Sequence, residues 1–287
     1  SFGTEGFYGT PTYVSATYIY LFILFGSFLE QAGMIKLFTD FAMGMFGHKT
    51  GGPAKVSVAS SALMGTITGS GVANVVTTGQ FTIPLMKRFG YKPAFAGAVE
   101  ATASMGSQIM PPVMGAVAFI MAETINVPYV EIAKAAAIPA TLYFFTVFWM
   151  VHLEAGRAGL KGLPKEDCPD PWVAVKARWY LLLPLAGLVY LLFAGFTPMF
   201  AGMFGLALTV VLIFGASFSR HLNGTSLRLI FWIALGLACS AFAKVGIISV
   251  VAVIAVLAVL LALRKDGRAT LRVAVTALVE GALHALP

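Results

Sequence analysis

The 287-residue chain is 59% hydrophobic and only 11% charged, with a net charge of +7. A soluble domain carries about 25% charged residues, so this composition excludes a water-solvated globule and requires lipid around most of the chain. The two cysteines, Cys168 and Cys239, and the four histidines are widely scattered, with neither a disulfide framework nor metal-ligand spacing.

In chain order, hydropathy over windows of about 19 residues marks a first span at Pro11 to Glu30. An amphipathic stretch, Ala32 to Phe46, follows and is expected to lie along the membrane interface. Next come an apolar segment from Pro53 to Met86, a span from Pro93 to Met121 interrupted by Pro111-Pro112, and a span from Tyr129 to Val151. A polar loop of mixed charge then leads to four further spans: Trp179 to Gly195, Pro198 to Ser217, Leu227 to Ala243 and Val245 to Leu263. A last segment, Thr270 to Leu286, puts Leu271, Val275, Leu278 and Ala282 near one helical face. The expected organisation is a membrane helix plus interfacial arm (1–52) and a unit at 53–151, made of a hairpin (53–86), a broken helix (93–121) and a helix (129–151). A cytoplasmic loop (152–178), four helices (179–263) and a final arm (264–287) complete it. Ser1 is not a methionine and Pro287 ends inside an amphipathic run, so a fragment of a longer protein is expected.

Charge orients the spans. All of the 19 Lys and Arg residues except Lys134 and Lys244 fall near the segment ends assigned to one side. Cytoplasmic loops hold the excess of Lys and Arg, so that side is the cytoplasm. The positive net charge therefore reports topology and gives no sign of nucleic-acid binding.

Basic clusters bracket residues 53–86 on both sides. A single crossing would throw the downstream basic loops out of phase, whereas entry and exit on the cytoplasmic face keeps them in phase. Each arm has 16 or 17 residues, about 25 Å of helix, slightly short of a hydrocarbon core of about 30 Å. The centre, Gly65-Thr66-Ile67-Thr68-Gly69-Ser70-Gly71-Val72-Ala73-Asn74, combines turn-permitting glycines with side-chain oxygens. Two readings fit: close packing of membrane helices through small residues, or a re-entrant hairpin whose non-helical tip holds an ion and a substrate.

A second broken element runs from Thr102 to Pro112. Paired prolines remove two backbone donors and free upstream carbonyls, and Ser104, Ser107 and Gln108 add oxygens. A hard cation such as Na⁺ takes about five or six oxygen ligands, a number these two elements can supply between them; a plain proline kink is the simpler reading. Glu100 lies inside a predicted span, where a carboxylate is a functional candidate. One to two turns from Lys92, it is open to three readings: a coupling or proton-relay group, a side chain reaching the cytoplasmic interface, or an ion pair there.

The stretch Gly51-Gly52-Pro53-Ala54-Lys55-Val56, then Met64 through Gly79, then Thr82-Ile83-Pro84-Leu85-Met86-Lys87-Arg88, resembles tripartite ATP-independent periplasmic (TRAP) transporters. Ala96-Gly97-Ala98-Val99-Glu100-Ala101 and Gln108-Ile109-Met110-Pro111-Pro112-Val113-Met114-Gly115 continue the likeness, which is greatest to the fused large permease subunit of the TAXI subfamily, with its DctM-like domain. It is specific from about Thr4 to Leu163 and rests on hydropathy beyond.

The resemblance implies an all-α, polytopic transmembrane protein with a re-entrant hairpin and a broken helix, the first part of an inverted-repeat, elevator-type transporter. It implies a non-enzymatic, Na⁺-coupled importer of a small organic acid, dicarboxylate or amino-acid-like. The substrate would come from a periplasmic binding protein, and the permease would sit in a bacterial or archaeal cytoplasmic membrane. Carried over by position, the first sodium site would use Thr68, Gly69, Ser70 and Gly71 at the hairpin tip, with Ser107, Met110 and Pro111 at the break. Asn74, Thr77, Thr78 and Gln108 would face the substrate, and Glu100 is the possible coupling group. The family more often has serine where this chain has Thr68 and Gly71; Thr68 keeps a hydroxyl, whereas Gly71 offers only its carbonyl. A second hairpin is expected to start near Leu283 to Pro287, so the second ion site and a preceding small subunit would lie outside this chain, which alone should not transport. The alternatives are a proton-coupled symporter acting through Glu100, or a non-transporting channel or scaffold. No His-Glu-x-x-His or Gly-x-Ser-x-Gly motif supports an enzyme.

Overall fold

The computed structural model describes residues 9–219, 225–240, 247–263 and 267–284, and every described secondary element is a helix. Residues 241–246 and 285–287, on which the ends of two expected spans and the start of a second hairpin fall, lie outside the described residues. So do Arg220, Lys244, Arg264 and Lys265 of the charge pattern.

Helix α1 (Thr10–Gln31) is continuous, with a π-helical turn at Ser15–Ile19. Gly33, at φ 99°, turns the chain into α2 (Met34–Phe46), and the Arg178 guanidinium donates to the Gly33 carbonyl at 3.0 Å. Met34, Leu37, Phe38 and Ala42 are buried along one stripe of α2, so its amphipathic pattern faces protein.

Residues 53–86 form two antiparallel helices, α3 (Gly52–Thr68) and α4 (Gly71–Arg88), joined only by Gly69-Ser70. Pro53 sits in the first turn of α3, where its missing N–H costs no hydrogen bond. Gly69 ends α3 at φ 60°, and Ser70 caps α4 by accepting the Ala73 N–H at 3.3 Å. A Cβ at Gly69 would run into the Met114 carbonyl, so glycine there serves both the turn and a close approach.

The broken element begins inside the stretch expected for it, Thr102 to Pro112, and runs beyond it to Gly115. Helix α5 (Pro93–Met105) ends six residues before Pro111; a 3-10 turn covers Gly106–Gln108, and α6 (Ala116–Thr124) resumes after Gly115. The reason is local. Pro111 and Pro112 have no N–H to give the Ser107 and Gln108 carbonyls, and proline also bars the residue before it from the helical region. The Gln108 carbonyl accepts instead from the Gly115 N–H at 2.8 Å, and Tyr129 Oη sits 2.8 Å from the Pro112 carbonyl and 2.5 Å from that of Val113.

The expected loop at 152–178 is shorter than its polarity suggests. Helix α7 (Tyr129–Arg157) runs on through His152 because nothing breaks it before Gly159, at φ 66°. Asp170 then caps α8 (Pro171–Arg178), its carboxylate accepting from the Trp172 N–H at 2.8 Å. Helices α9 (Leu182–Phe193), α10 (Pro198–Ser219), α11 (Thr225–Ser240), α12 (Ile247–Ala262) and α13 (Gly267–His284) follow. Four described helical stretches are long and apolar enough to cross a membrane: Thr10–Gln31, Tyr129–Arg157, Lys165–Phe193 and Pro198–Ser219. Ile138, Leu142, Phe145 and Trp149 lie exposed along one stripe of α7, a face suited to lipid.

Helix α1 sits between two bodies. Phe25 and Leu29 join a core with Met64 and Ile67 of α3 and Val113, Met114 and Phe119 of the break and α6. Phe28 joins another with Val210, Phe214, Leu257 and Ala277 of α10, α12 and α13. Gly26 meets the Ile67 carbonyl, and Gly281 meets Leu24, so small residues set both approaches.

Gly69→Ala is expected to lower stability by about 1–3 kcal/mol for the left-handed backbone alone, with the clash against Met114 added. Thermal unfolding of the protein in detergent measures it, and an unchanged midpoint would show that the tip does not sit against the break.

Candidate functional site

Three helices present polar pairs at i, i+4 spacing toward one point: Ser57 and Ser61 from α3, Thr78 and Thr82 from α4, Glu100 and Ser104 from α5. The Glu100 side chain is fully buried. Ser57 donates to its Oε2 at 2.6 Å and Thr82 to the same oxygen at 2.5 Å. Oε1 takes Ser61 at 3.2 Å, Ser104 at 3.0 Å and a short bond from Thr78. No ion pair among the described residues involves Glu100. Two sequence-level alternatives, a reach to the interface and a pair with Lys92, are therefore corrected: α5 points this carboxylate into the seam between the hairpin arms.

Asn74 lies next along α4 and is also fully buried. Its amide donates to the Ser61 carbonyl at 3.0 Å and to Ser107 Oγ at 2.6 Å. The Thr78 hydroxyl sits 2.7 Å from the Asn74 carbonyl and 3.3 Å from its Oδ1. A hydrogen-bonded chain runs from Glu100 through Ser61, whose hydroxyl donates to the carboxylate and whose carbonyl accepts from the Asn74 amide, to Ser107 in the first turn of the break.

In front of that chain is a cavity of about 350 Å³. Thr68, Gly69 and Ser70 of the hairpin tip line it together with Gln108 and Gly115 of the break, and Phe22 of α1 closes one side. The Thr68 hydroxyl is buried without a hydrogen-bond partner among the described residues. Buried polar atoms are nearly always paired, so this oxygen is an open valence on the cavity wall.

The predicted residues divide accordingly. Thr68, Gly69, Ser70 and Gln108 share the cavity. Ser107 and Asn74 stand behind it, bonded to each other, and Thr78 is committed to Glu100. Thr77 back-bonds to the Ala73 carbonyl at 2.8 Å. Gly71 packs against Met105 and the Ser104 carbonyl. Met110 and Pro111 lie in the break without lining the cavity, and Met110 packs on the apolar core of α3, α5 and α7. Sequence reasoning did not find Ser57, Ser61 and Thr82; the repeated i, i+4 spacing on three segments was the available signal.

Residues 7–286 match the family described as "Tripartite ATP-independent periplasmic transporter, DctM component". The chain is 27% identical over 182 residues to the 2,3-diketo-L-gulonate TRAP transporter large permease protein of Escherichia coli, covering 63% of this chain and 42% of that one. It is 26% identical over 178 residues to the sialic acid TRAP transporter large permease of Vibrio cholerae, covering 62% and 41%. It is 27% identical over 191 residues to the C4-dicarboxylate TRAP transporter large permease of Rhodobacter capsulatus, covering 62% and 43%. The chain therefore spans about two fifths of the length of these relatives.

Asn74→Ala removes both donors of the clamp and leaves a buried carbonyl and hydroxyl short of a partner. A loss of about 1–3 kcal/mol is expected, read as a lower unfolding midpoint in detergent. A midpoint equal to that of the wild type would show that the amide does not hold the two elements together.

Proposed function

The chain belongs to the DctM family of TRAP transporter large permease components, multi-pass membrane proteins, and from that premise we propose that it is part of a Na⁺-coupled importer of a small organic acid. One observation carries the reading: a hairpin tip and a helix break meet at a cavity with polar groups on the tip side, where the Thr68 hydroxyl is buried and unpartnered among the described residues. Hydroxyl and carbonyl oxygens are the hard donors that suit an alkali cation. The fit is to Na⁺ as a co-transported substrate, held by Thr68, by Ser70 and by tip carbonyls.

The organic acid follows from charge. The three relatives named above carry diketogulonate, sialic acid and C4-dicarboxylate in their names, all acids. The first turn of α4, capped by Ser70, opens beside the tip with the positive end of its dipole. The exposed Gln108 side chain adds a neutral hydrogen-bonding group. A carboxylate bound there neighbours the cation, and each lowers the cost of taking the other out of water. Coupling follows: the paired charges cross more cheaply than either alone.

The reading includes a hairpin that enters and leaves from the cytoplasmic side, an elevator-type movement, a TAXI-like subfamily assignment and delivery by a periplasmic binding protein in a bacterial or archaeal cytoplasmic membrane. The basic clusters around Lys49, Lys55, Lys87, Arg88 and Lys92 support the entry side. Proton coupling is the second reading, favoured by one observation, the buried Glu100 carboxyl.

In the full-length permease reconstituted with its binding protein, Thr68→Ala and Ser70→Ala should each raise the Na⁺ concentration for half-maximal uptake roughly tenfold, the equivalent of about 1.4 kcal/mol. Uptake assays across Na⁺ and pH gradients test this. Unchanged Na⁺ dependence in both variants, or uptake that follows the proton gradient alone, would remove the sodium reading.

A further inference from the structure

The proposed cation site has a deficit: its walls are neutral. Thr68, Gly69, Ser70, Gln108 and Gly115 contribute hydroxyl, amide and carbonyl dipoles and no formal charge. Removing a monovalent cation from water is expensive, and a fixed negative charge nearby adds to what neutral dipoles repay.

A formal charge lies close behind. Glu100 precedes Ser107 by two helical turns, about 10 Å at 1.5 Å per residue. Its five hydroxyl partners, Ser57, Ser61, Thr78, Thr82 and Ser104, are all capable of donating. Such a ring replaces the water shell of an ionised carboxylate, because charge-assisted hydrogen bonds are the strong ones. No Lys or Arg among the described residues cancels the charge by an ion pair. The carboxylate is also tied to the site mechanically: Ser61 donates its hydroxyl to Glu100 and accepts at its carbonyl from Asn74, whose amide also donates to Ser107.

We propose that Glu100 is the positioning residue of the cation site: a hydroxyl-caged carboxylate that supplies the negative field for Na⁺ and holds Asn74 and Ser107 in register, without touching the ion. The inference rests on the sodium reading. At an effective dielectric of about 20, a unit charge about 10 Å away changes cation affinity by roughly tenfold.

The test uses the purified full-length permease in detergent with Na⁺ as the only probe. Thermal midpoints are recorded against NaCl at constant ionic strength, with choline chloride as the balancing salt. Wild type should be stabilised by Na⁺ with a defined half-saturation concentration. Glu100→Gln keeps the shape and loses the charge, so half-saturation should rise about tenfold while the maximal stabilisation stays reachable. Glu100→Asp restores the charge and should return half-saturation to within threefold of wild type. A merely structural role would lower all midpoints equally and leave half-saturation unmoved in Glu100→Gln; that result overturns this inference alone. Where Glu100→Gln does not fold, the equally short pair Glu100→Asp and Glu100→Asn decides: a half-saturation about tenfold higher in the neutral variant supports the proposal, and equal values overturn it. A wild type indifferent to Na⁺ overturns the sodium reading and this inference with it.

Discussion

Inside a helical membrane bundle no water solvates a carboxyl group, so protein must supply every partner or the group is too costly to keep. Glu100 meets that constraint with hydroxyls from three different helices. Each of those bonds works only in one register of α3 against α4 and of both against α5. A slip of one residue rotates a helix by about 100°, turning Ser57 and Ser61, or Thr78 and Thr82, out of the seam. The same polar group that taxes the fold therefore selects one packing of the hairpin on the broken helix, a role buried polar groups are known to take.

From that register the cavity follows. With α4 fixed against α5, Asn74 reaches Ser107 and pins the first turn of the break. Gly65, facing the Ser107 backbone, leaves room for this approach. The break then folds back so that Gln108 bonds Gly115, and Met114 comes against Gly69. Hairpin tip and helix break thus meet as two irregular backbone segments packed against each other.

The hairpin was legible because its punctuation is local. Gly51, Pro53 and Gly69-Ser70 act through backbone geometry, which a sequence states directly. The break was legible because glycine and the paired prolines are local signals, and the helix ends at Met105 inside the stretch Thr102 to Pro112; its continuation to Gly115 was not, since it depends on the bond from the Gly115 N–H to the Gln108 carbonyl. The length of α7 was hidden by polarity: His152, Glu154 and Arg157 look like loop yet are compatible with helix, and Arg157 pairs with Glu154 at 3.7 Å one turn away. The environment of Glu100 was the least legible feature. Apart from Ser104 on its own helix, its partners come from segments 18 to 43 residues away, and only the three-dimensional register shows that six hydroxyl and carboxyl side chains share a point. On the sequence alone, proximity to Lys92 was the nearer explanation.

The polar residues of this region thus serve two different ends, and burial separates them. Asn74, Thr78, Ser61 and Ser107 spend their hydrogen-bonding capacity on one another and on Glu100, which makes them architecture even though their residue types suit ligand binding. Thr68, at the end of the same helix as Ser61, is equally buried but left with a free oxygen. A scaffold that satisfied every group would be more stable and would bind nothing; one that left several open would not hold its register. The division seen here, a saturated network behind and an unsaturated hydroxyl in front, places the available valence at the one position where the hairpin tip, the break and α1 converge. Phe22 and Phe119 pack there at a centroid distance of 5.0 Å, so the wall opposite the polar tip is apolar. Whatever occupies the cavity therefore meets oxygen on one side and aromatic surface on the other, and its charged part has only one side on which to settle.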